Sequence, residues 1–188
     1  MFLKQQDPYR LLVGIVGVKL GDRLLQVGCA HGGRLGAVAS KVGFSGRAVA
    51  VVADEPSAAR ARKGAADAGV LVEIEIAAPS RLQFDPDSFD LVVIDDTGGL
   101  LASLADLDRT ASMKEALRVL RPGGRAMIVG GGAPAGLLSR LFGGGSGAQA
   151  SIAPTERPEA LEAAGFKMVR NLAEREGLVF VEGVKPRT

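Results

Sequence analysis

A short apolar strand that ends in a glycine turn constrains this chain more than any other feature. Leu24-Leu25-Gln26-Val27 runs into Gly28-Cys29-Ala30-His31-Gly32-Gly33, and an apolar, Ala-rich helical stretch from Leu35 to Val42 follows. A strand that stops at such a turn leaves backbone N–H groups and a helix N-terminus facing one point. Both favour negative charge there, so the turn suits the phosphates or carboxylate of a nucleotide-like ligand. Small residues let that ligand approach the backbone closely. The turn alone does not select the ligand.

The order of elements around it sets the fold class. Pro8 to Val18 reads as a helix with Asp7 as N-cap and Pro8 at the first helical position. Arg23 to Val27 is the first strand, Arg34 to Val42 a helix, and Arg47 to Ala53 a buried strand rich in valine. Pro56 to Ala68 is a helix closed by Gly69, and Val70 to Ile76 alternates like a strand with one face near solvent. Phe89 to Ile94 is the fourth strand, ended by Asp95-Asp96. A helix from about Thr110 to Leu120 is stopped by Arg121-Pro122-Gly123-Gly124, and Arg125 to Val129 is the fifth strand. Glu156 to Ala164 is the last helix. Phe166 to Leu172 and Leu178 to Val184 are joined by Ala173 to Gly177, a connector short enough to demand an antiparallel hairpin. Five β–α alternations and a hairpin predict an α/β three-layer sandwich around a mostly parallel seven-stranded sheet.

At 188 residues the chain suits one domain over 1–188, with an N-terminal helical segment (1–20) and a flexible Gly-rich segment (130–151). Net charge is +2 with scattered Lys and Arg, no Trp and a single Tyr. Nucleic acid is therefore not expected as the primary ligand. The one cysteine, Cys29, cannot form an internal disulfide, and no secretory signal opens the chain, which points to the cytoplasm. The apolar stretch from Leu11 to Val18 is far shorter than the ~20 residues of a membrane span.

Four segments together resemble the class I S-adenosylmethionine (SAM)-dependent methyltransferases, with their Rossmann-like fold. Gly21 to Gly32 resembles the family's first glycine motif, and Val51-Val52-Ala53-Asp54 its acidic second-strand end. Ser88 to Ile94 resembles the strand leading to the reaction centre, and Ala116 to Arg125 the helix and turn before the fifth strand. The resemblance implies that Gly28, Cys29, Ala30 and Gly32 cradle the methionine part of SAM, with Gln26 near its amino end. It further implies that Asp54 takes the ribose hydroxyls, with Glu55 beside the adenine and Ala78, Pro79 and Ser80 along its edge. It also implies a small-molecule methyl acceptor and is compatible with a homodimer.

The chain departs from the family's pattern at named places. Gln26 stands where an acid is usual, keeping an acceptor oxygen without the charge. Ala30 stands where a second glycine is usual, and Ala78 where an acid often bonds the adenine amino group. Asp95, Asp96 and His31 are the candidate catalytic groups, Asp95 also as a cofactor contact. Asp95 and Asp96 end the fourth strand, where ligands of open parallel sheets gather; His31 lies inside the turn. Asp85, Asp87 and Asp90 lack the spacing of a calcium loop and read as a turn around Pro86, so no metal is expected. Two other readings remain open at this point: an inactive SAM-fold binding protein, and a nicotinamide-binding oxidoreductase using Gly28 to Gly33 as its dinucleotide turn.

Overall fold

A computed structural model of the protein describes residues 7–132 and 156–187. The expected Gly-rich segment lies outside them from residue 133 onward. The described elements run α1 (Arg10–Val16), β1 (Arg23–Val27), α2 (Gly32–Ala39), β2 (Arg47–Val52), α3 (Glu55–Ala68), β3 (Glu73–Ile76) and β4 (Phe89–Asp96). Then come α4 (Leu100–Ser103), α5 (Asp106–Val119), β5 (Leu120–Gly131), α6 (Glu156–Ala164), β6 (Lys167–Arg175) and β7 (Leu178–Val184). The strands form one sheet in the order β3-β2-β1-β4-β5-β7-β6. β1 to β5 are parallel, and β7 runs antiparallel to both β5 and β6. The predicted sandwich and terminal hairpin are both present.

Alternation along the strands sorts the core onto two faces. Leu25, Val92, Ile94 and Ile128 meet Met113 and Leu161 beneath α5 and α6. Leu24, Leu91, Val93 and Met127 meet Leu12, Val16 and Val38 beneath α1 and α2. α3 joins that second face through Ala58 and Ala61. The crossing of α2 over α3 is made by glycines: a Cβ on Gly64 would lie 2.0 Å from the Gly32 carbonyl oxygen. Contact that close requires hydrogen in place of a side chain at both positions.

Several boundaries differ from expectation for local reasons. α1 begins at Arg10 rather than Pro8, because the Asp7 carboxylate accepts from the Tyr9 N–H at 2.9 Å and holds a turn ahead of the helix. The Arg121 to Gly124 stretch does not cap α5. The chain turns extended at Leu120, and these four residues form a bulge inside β5, between the pairs Phe89–Leu120 and Leu91–Arg125. A bulge tolerates the missing N–H of Pro122, and Gly123 takes a φ of +76° there. The terminal hairpin turns on two residues, not five. Glu176 and Gly177 have φ of +54° and +73°, the all-positive pair of a tight turn matched to strand twist. β3 begins at Glu73, three residues later than predicted, and α4 was not foreseen.

α1 is fastened at its C-terminal end by Arg125 of β5. Its Nη2 donates to the carbonyls of Gly17 at 2.9 Å and Val16 at 3.3 Å, while Nη1 pairs with Glu182 of β7 at 2.7 Å. Glu182 also accepts from Arg170 of β6. Burial pushes the Glu182 carboxyl up, but hydrogen bonds from Arg125 and Arg170 outweigh it and hold the group below the ordinary glutamate value. A depressed folded pKa contributes stability that is complete above the unfolded value, about 4.3, and is lost as pH falls through the folded one. Glu182→Gln is therefore expected to flatten the acid limb of a stability-against-pH curve measured by urea unfolding. An unchanged limb would remove Glu182 from the account.

Candidate functional site

A cleft of about 530 Å³ opens at the C-terminal ends of β1, β2 and β4, within the range of small-molecule sites. Gly28, at the tip of β1, has a φ of +83°. A Cβ there would sit 3.0 Å from the Asp95 carbonyl oxygen and 2.9 Å from Leu100, so the turn needs glycine both for its dihedral and for its closeness to β4. Ala30 has no such demand, since its φ is not positive. Its methyl group faces Gly98, where a Cβ would lie 3.0 Å away. Gly98 thus makes the room that a glycine at position 30 would otherwise provide.

The turn is held from below and from the side. Gln26, only 2% exposed, donates its amide to the Gly28 carbonyl at 3.0 Å. It braces the turn from underneath and does not line the cleft. Arg60 of α3 donates to the Cys29 carbonyl at 3.1 Å. Burial, then the charge of Asp95, pushes the Cys29 thiol up to about 11. That makes it a packing group rather than a nucleophile. Gly32 is taken up by the contact with α3.

Asp54 lines the cleft and also caps α3, accepting from the Ser57 N–H at 2.7 Å. The hydrogen bonds from Ser57 hold its carboxyl below the usual aspartate value. Glu55, next in sequence, turns away to pair with Arg62 at 2.5 Å. Ala78, Pro79 and Ser80 follow β3 and do not line the cleft.

The two acids that end β4 part company, because successive strand residues face opposite sides of a sheet. Asp95 faces the cleft. It accepts from the Ala30 N–H at 2.9 Å and from the Thr97 hydroxyl at 2.6 Å. Thr97 in turn accepts from Arg34 at 2.6 Å. Asp96 points into the opposite helical layer with no exposed surface, bonded to the Leu101 N–H at 2.8 Å and to Arg157 Nε at 3.0 Å. Its expected place at the reacting end is corrected accordingly: Asp96 has no path to the cleft.

His31 stands exposed at the mouth, its Nδ1 3.5 Å from the Tyr9 hydroxyl, with the two rings 5.8 Å apart. The sequence reading missed Arg34, Arg60, Thr97, Gly98 and Ser103 as lining residues. Arg34 and Thr97 were the findable ones, lying within two or three residues of the turn and of Asp95. Among the described residues, no three His, Cys, Asp or Glu side chains are grouped to hold a metal. Asp90 is bound to Arg23 and Arg121, and Asp87 to Lys185. No described helix is long and apolar enough to cross a membrane.

Residues 24–124 match the family model described as a methyltransferase domain. The chain is 36% identical over 121 residues to 27-O-demethylrifamycin SV methyltransferase of Amycolatopsis mediterranei, over 62% of this chain and 41% of that protein. It thus spans about two-fifths of the length of that curated relative. Its fold is shared with a SAM-dependent methyltransferase from Aquifex aeolicus, at a TM-score of 0.74 and 20% identity, covering 97% of this chain and 95% of the other. The [4+2]-cyclase SpnF has it too, at a TM-score of 0.69 and 17% identity, covering 95% and 81%.

Proposed function

This chain belongs to the class I SAM-dependent methyltransferase family, and on that premise we propose that it transfers a methyl group from SAM to a small-molecule acceptor in the cleft above β1, β2 and β4. The observation that carries the reading is the convergence of Gly28, Asp54 and Asp95 from three neighbouring strand tips on one cavity of suitable size. Ligands of open parallel sheets sit at such a place. Bound there, SAM supplies a methyl group made electrophilic by its sulfonium.

The chain's own residues provide position. Gly28 and Ala30 bring bare backbone against the ligand, and Gly98 keeps the opposite wall clear. Asp54 offers an exposed, ionised carboxylate to a pair of ribose hydroxyls, its orientation fixed by the cap bond to Ser57. Asp95 locks the turn to β4 through Ala30 and Thr97. Positioning of this kind supplies much of the acceleration in a displacement that needs no covalent help from the protein. A base is required only when the acceptor begins protonated. That work falls to His31, because Asp95 is engaged by the turn and Asp96 is sealed in the core. The rifamycin-modifying relative is named for methylation at an oxygen, and a hydroxyl acceptor is the chemistry we assign here. The scattered charge of the chain supports a small molecule over a nucleic acid.

Thermal melting tests the reading. S-adenosylhomocysteine at 100 times its dissociation constant is expected to stabilise the fold by about 2.7 kcal/mol, and NAD to leave the melt unmoved. Asp54→Ala should abolish the shift at the same concentration. His31→Ala should retain the shift while slowing turnover of a hydroxyl acceptor. No shift in the unmodified protein would sink the assignment.

A further inference from the structure

The end of the sheet away from the cleft carries exposed apolar side chains on three neighbouring connections. Leu20 precedes β1, Phe44 precedes β2 and Leu71 precedes β3, and they are 78%, 108% and 92% exposed. A single exposed leucine is ordinary on a protein surface; a contiguous apolar group is not. Leu20 lies over Gly43, where a Cβ would fall 2.4 Å from its Cδ1. Phe44 comes next, and Phe44 and Leu71 both line a groove of about 530 Å³ between the connections to β2 and β3. The turn that carries Phe44 is braced on both sides. The Gly21 N–H donates to the Val42 carbonyl at 2.8 Å, and the Arg47 N–H to the Asp22 carbonyl at 3.1 Å. Gly46 fits so closely that a Cβ would lie 2.6 Å from the Asp22 carbonyl oxygen. The phenyl ring is therefore held out into solvent by a fixed turn, and docking it elsewhere orders little backbone.

The groove presents carbon rather than charge. Val42 and Ala48, both buried, form part of its lining. Arg47 and Glu73 are its charged lining residues, and they join each other through two parallel bonds of 2.9 and 2.6 Å. The Ser40 hydroxyl donates to the Ala37 carbonyl at 2.7 Å. A small-molecule site needs converging polar groups to orient its ligand, and an anionic surface needs unpaired cations. The groove supplies neither, and an apolar protein side chain is the occupant that fits it.

We infer that this face pairs two copies of the chain about a twofold axis, with Phe44 of each copy seated in the groove of the other. Knob and groove lie side by side on one surface, so the contact that fills one groove fills both, and the assembly closes at two. A lining whose charges are already paired can meet its own copy without like-charge repulsion. Burying one aromatic ring removes about 150–250 Å² from water, and the two leucines add to it. An interface built on so few side chains stands at the small end of the known range, so pairing in the micromolar range is expected. The cleft opens at the opposite ends of the strands. The pairing is accordingly independent of the methyl-transfer reading.

Sedimentation velocity on the full chain tests this. The mass should rise from one chain to two as concentration passes from low to high micromolar, with no larger species. Phe44→Asp should weaken pairing at least about tenfold, as for a buried aromatic anchor, and Leu71→Asp should weaken it as well. Both side chains are exposed in the single chain, so neither variant loses packing within the fold. Leu107→Asp changes a leucine of α5 that is 86% exposed and should leave pairing intact. A chain that stays single at the highest concentration would overturn the proposal. A pair that survives Phe44→Asp would also overturn it, as would one that Leu107→Asp disrupts equally. Flotation with phosphatidylcholine–phosphatidylserine vesicles covers the other use of such a surface. Capture of single chains by the vesicles, lost in Phe44→Asp, would assign the face to a bilayer instead.

Discussion

Arg157→Met is expected to cost about 3–5 kcal/mol of folding stability, the penalty for removing one partner of a buried ion pair. Arg157 and Asp96 are both without exposed surface. Nε meets Asp96 Oδ2 at 3.0 Å and Nη1 donates to the Gly131 carbonyl at 3.1 Å. Nη2 also lies 3.0 Å from Asp96 Oδ2 but is not aligned to hydrogen-bond. The room for this guanidinium exists because residue 130, opposite Asp96 in the sheet, is glycine; a Cβ there would fall 2.1 Å from the guanidinium carbon. Burial drives the Asp96 carboxyl above its ordinary value, against the Leu101 N–H and Arg157, which pull it down. Without Arg157 only the N–H would oppose that rise. A carboxyl whose folded pKa is raised destabilises the protein when ionised, so the deficit of the variant should shrink as pH falls through that raised value. The double variant Asp96→Leu/Arg157→Met removes both charges and should recover most of the loss. Urea unfolding of the four proteins gives the coupling, and additive single effects would refute it.

Gly64→Val is expected to be comparably damaging, at about 3 kcal/mol or more, the upper end of overpacking costs. The added Cβ alone would lie 2.0 Å from the Gly32 carbonyl oxygen. The obstacle is backbone, which has no rotamer to yield. Gly36 repeats the arrangement one turn along, with its Cβ position 2.5 Å from the Gly64 carbonyl oxygen. The helices must separate, and Arg60 of α3 would be drawn from the Cys29 carbonyl that it holds. Gly14→Ala is the contrasting case. No atom lies within 4 Å of its Cβ position, so helix propensity should dominate and add up to about 1 kcal/mol. Thermal melts of the two variants should move in opposite directions; a mild Gly64→Val would show that the crossing is looser than described.

The sheet and its terminal hairpin were legible because strand alternation and glycine punctuation are local signals. What escaped was mostly long-range. Asp95 and Asp96 look like a pair at one strand end when the strand is closed at Ile94, but β4 continues through both, and alternation assigns them to opposite faces. Gln26 stands where the family usually has an acid, but a neutral amide can be buried against the Gly28 carbonyl where a carboxylate cannot. The relief of Ala30 by Gly98 joins two loops that are 68 positions apart, and no local pattern signals it. Arg121 to Gly124 has helix-stopping composition, yet its N–H deficit and positive φ suit a bulge equally well. Only the pairing with β4 and β7 decides between them.

The position of β7 between β5 and β6 has a consequence for biosynthesis. β5 is made early but acquires its outer neighbour only when residues 178–184 have left the ribosome. Until then its Met127, Ile128 and Val129 border an open edge with unpaired amides, the surface most prone to join another nascent chain. The turn at Glu176-Gly177 pairs β7 with β6 locally, so the strand that closes the edge brings its own outer partner with it.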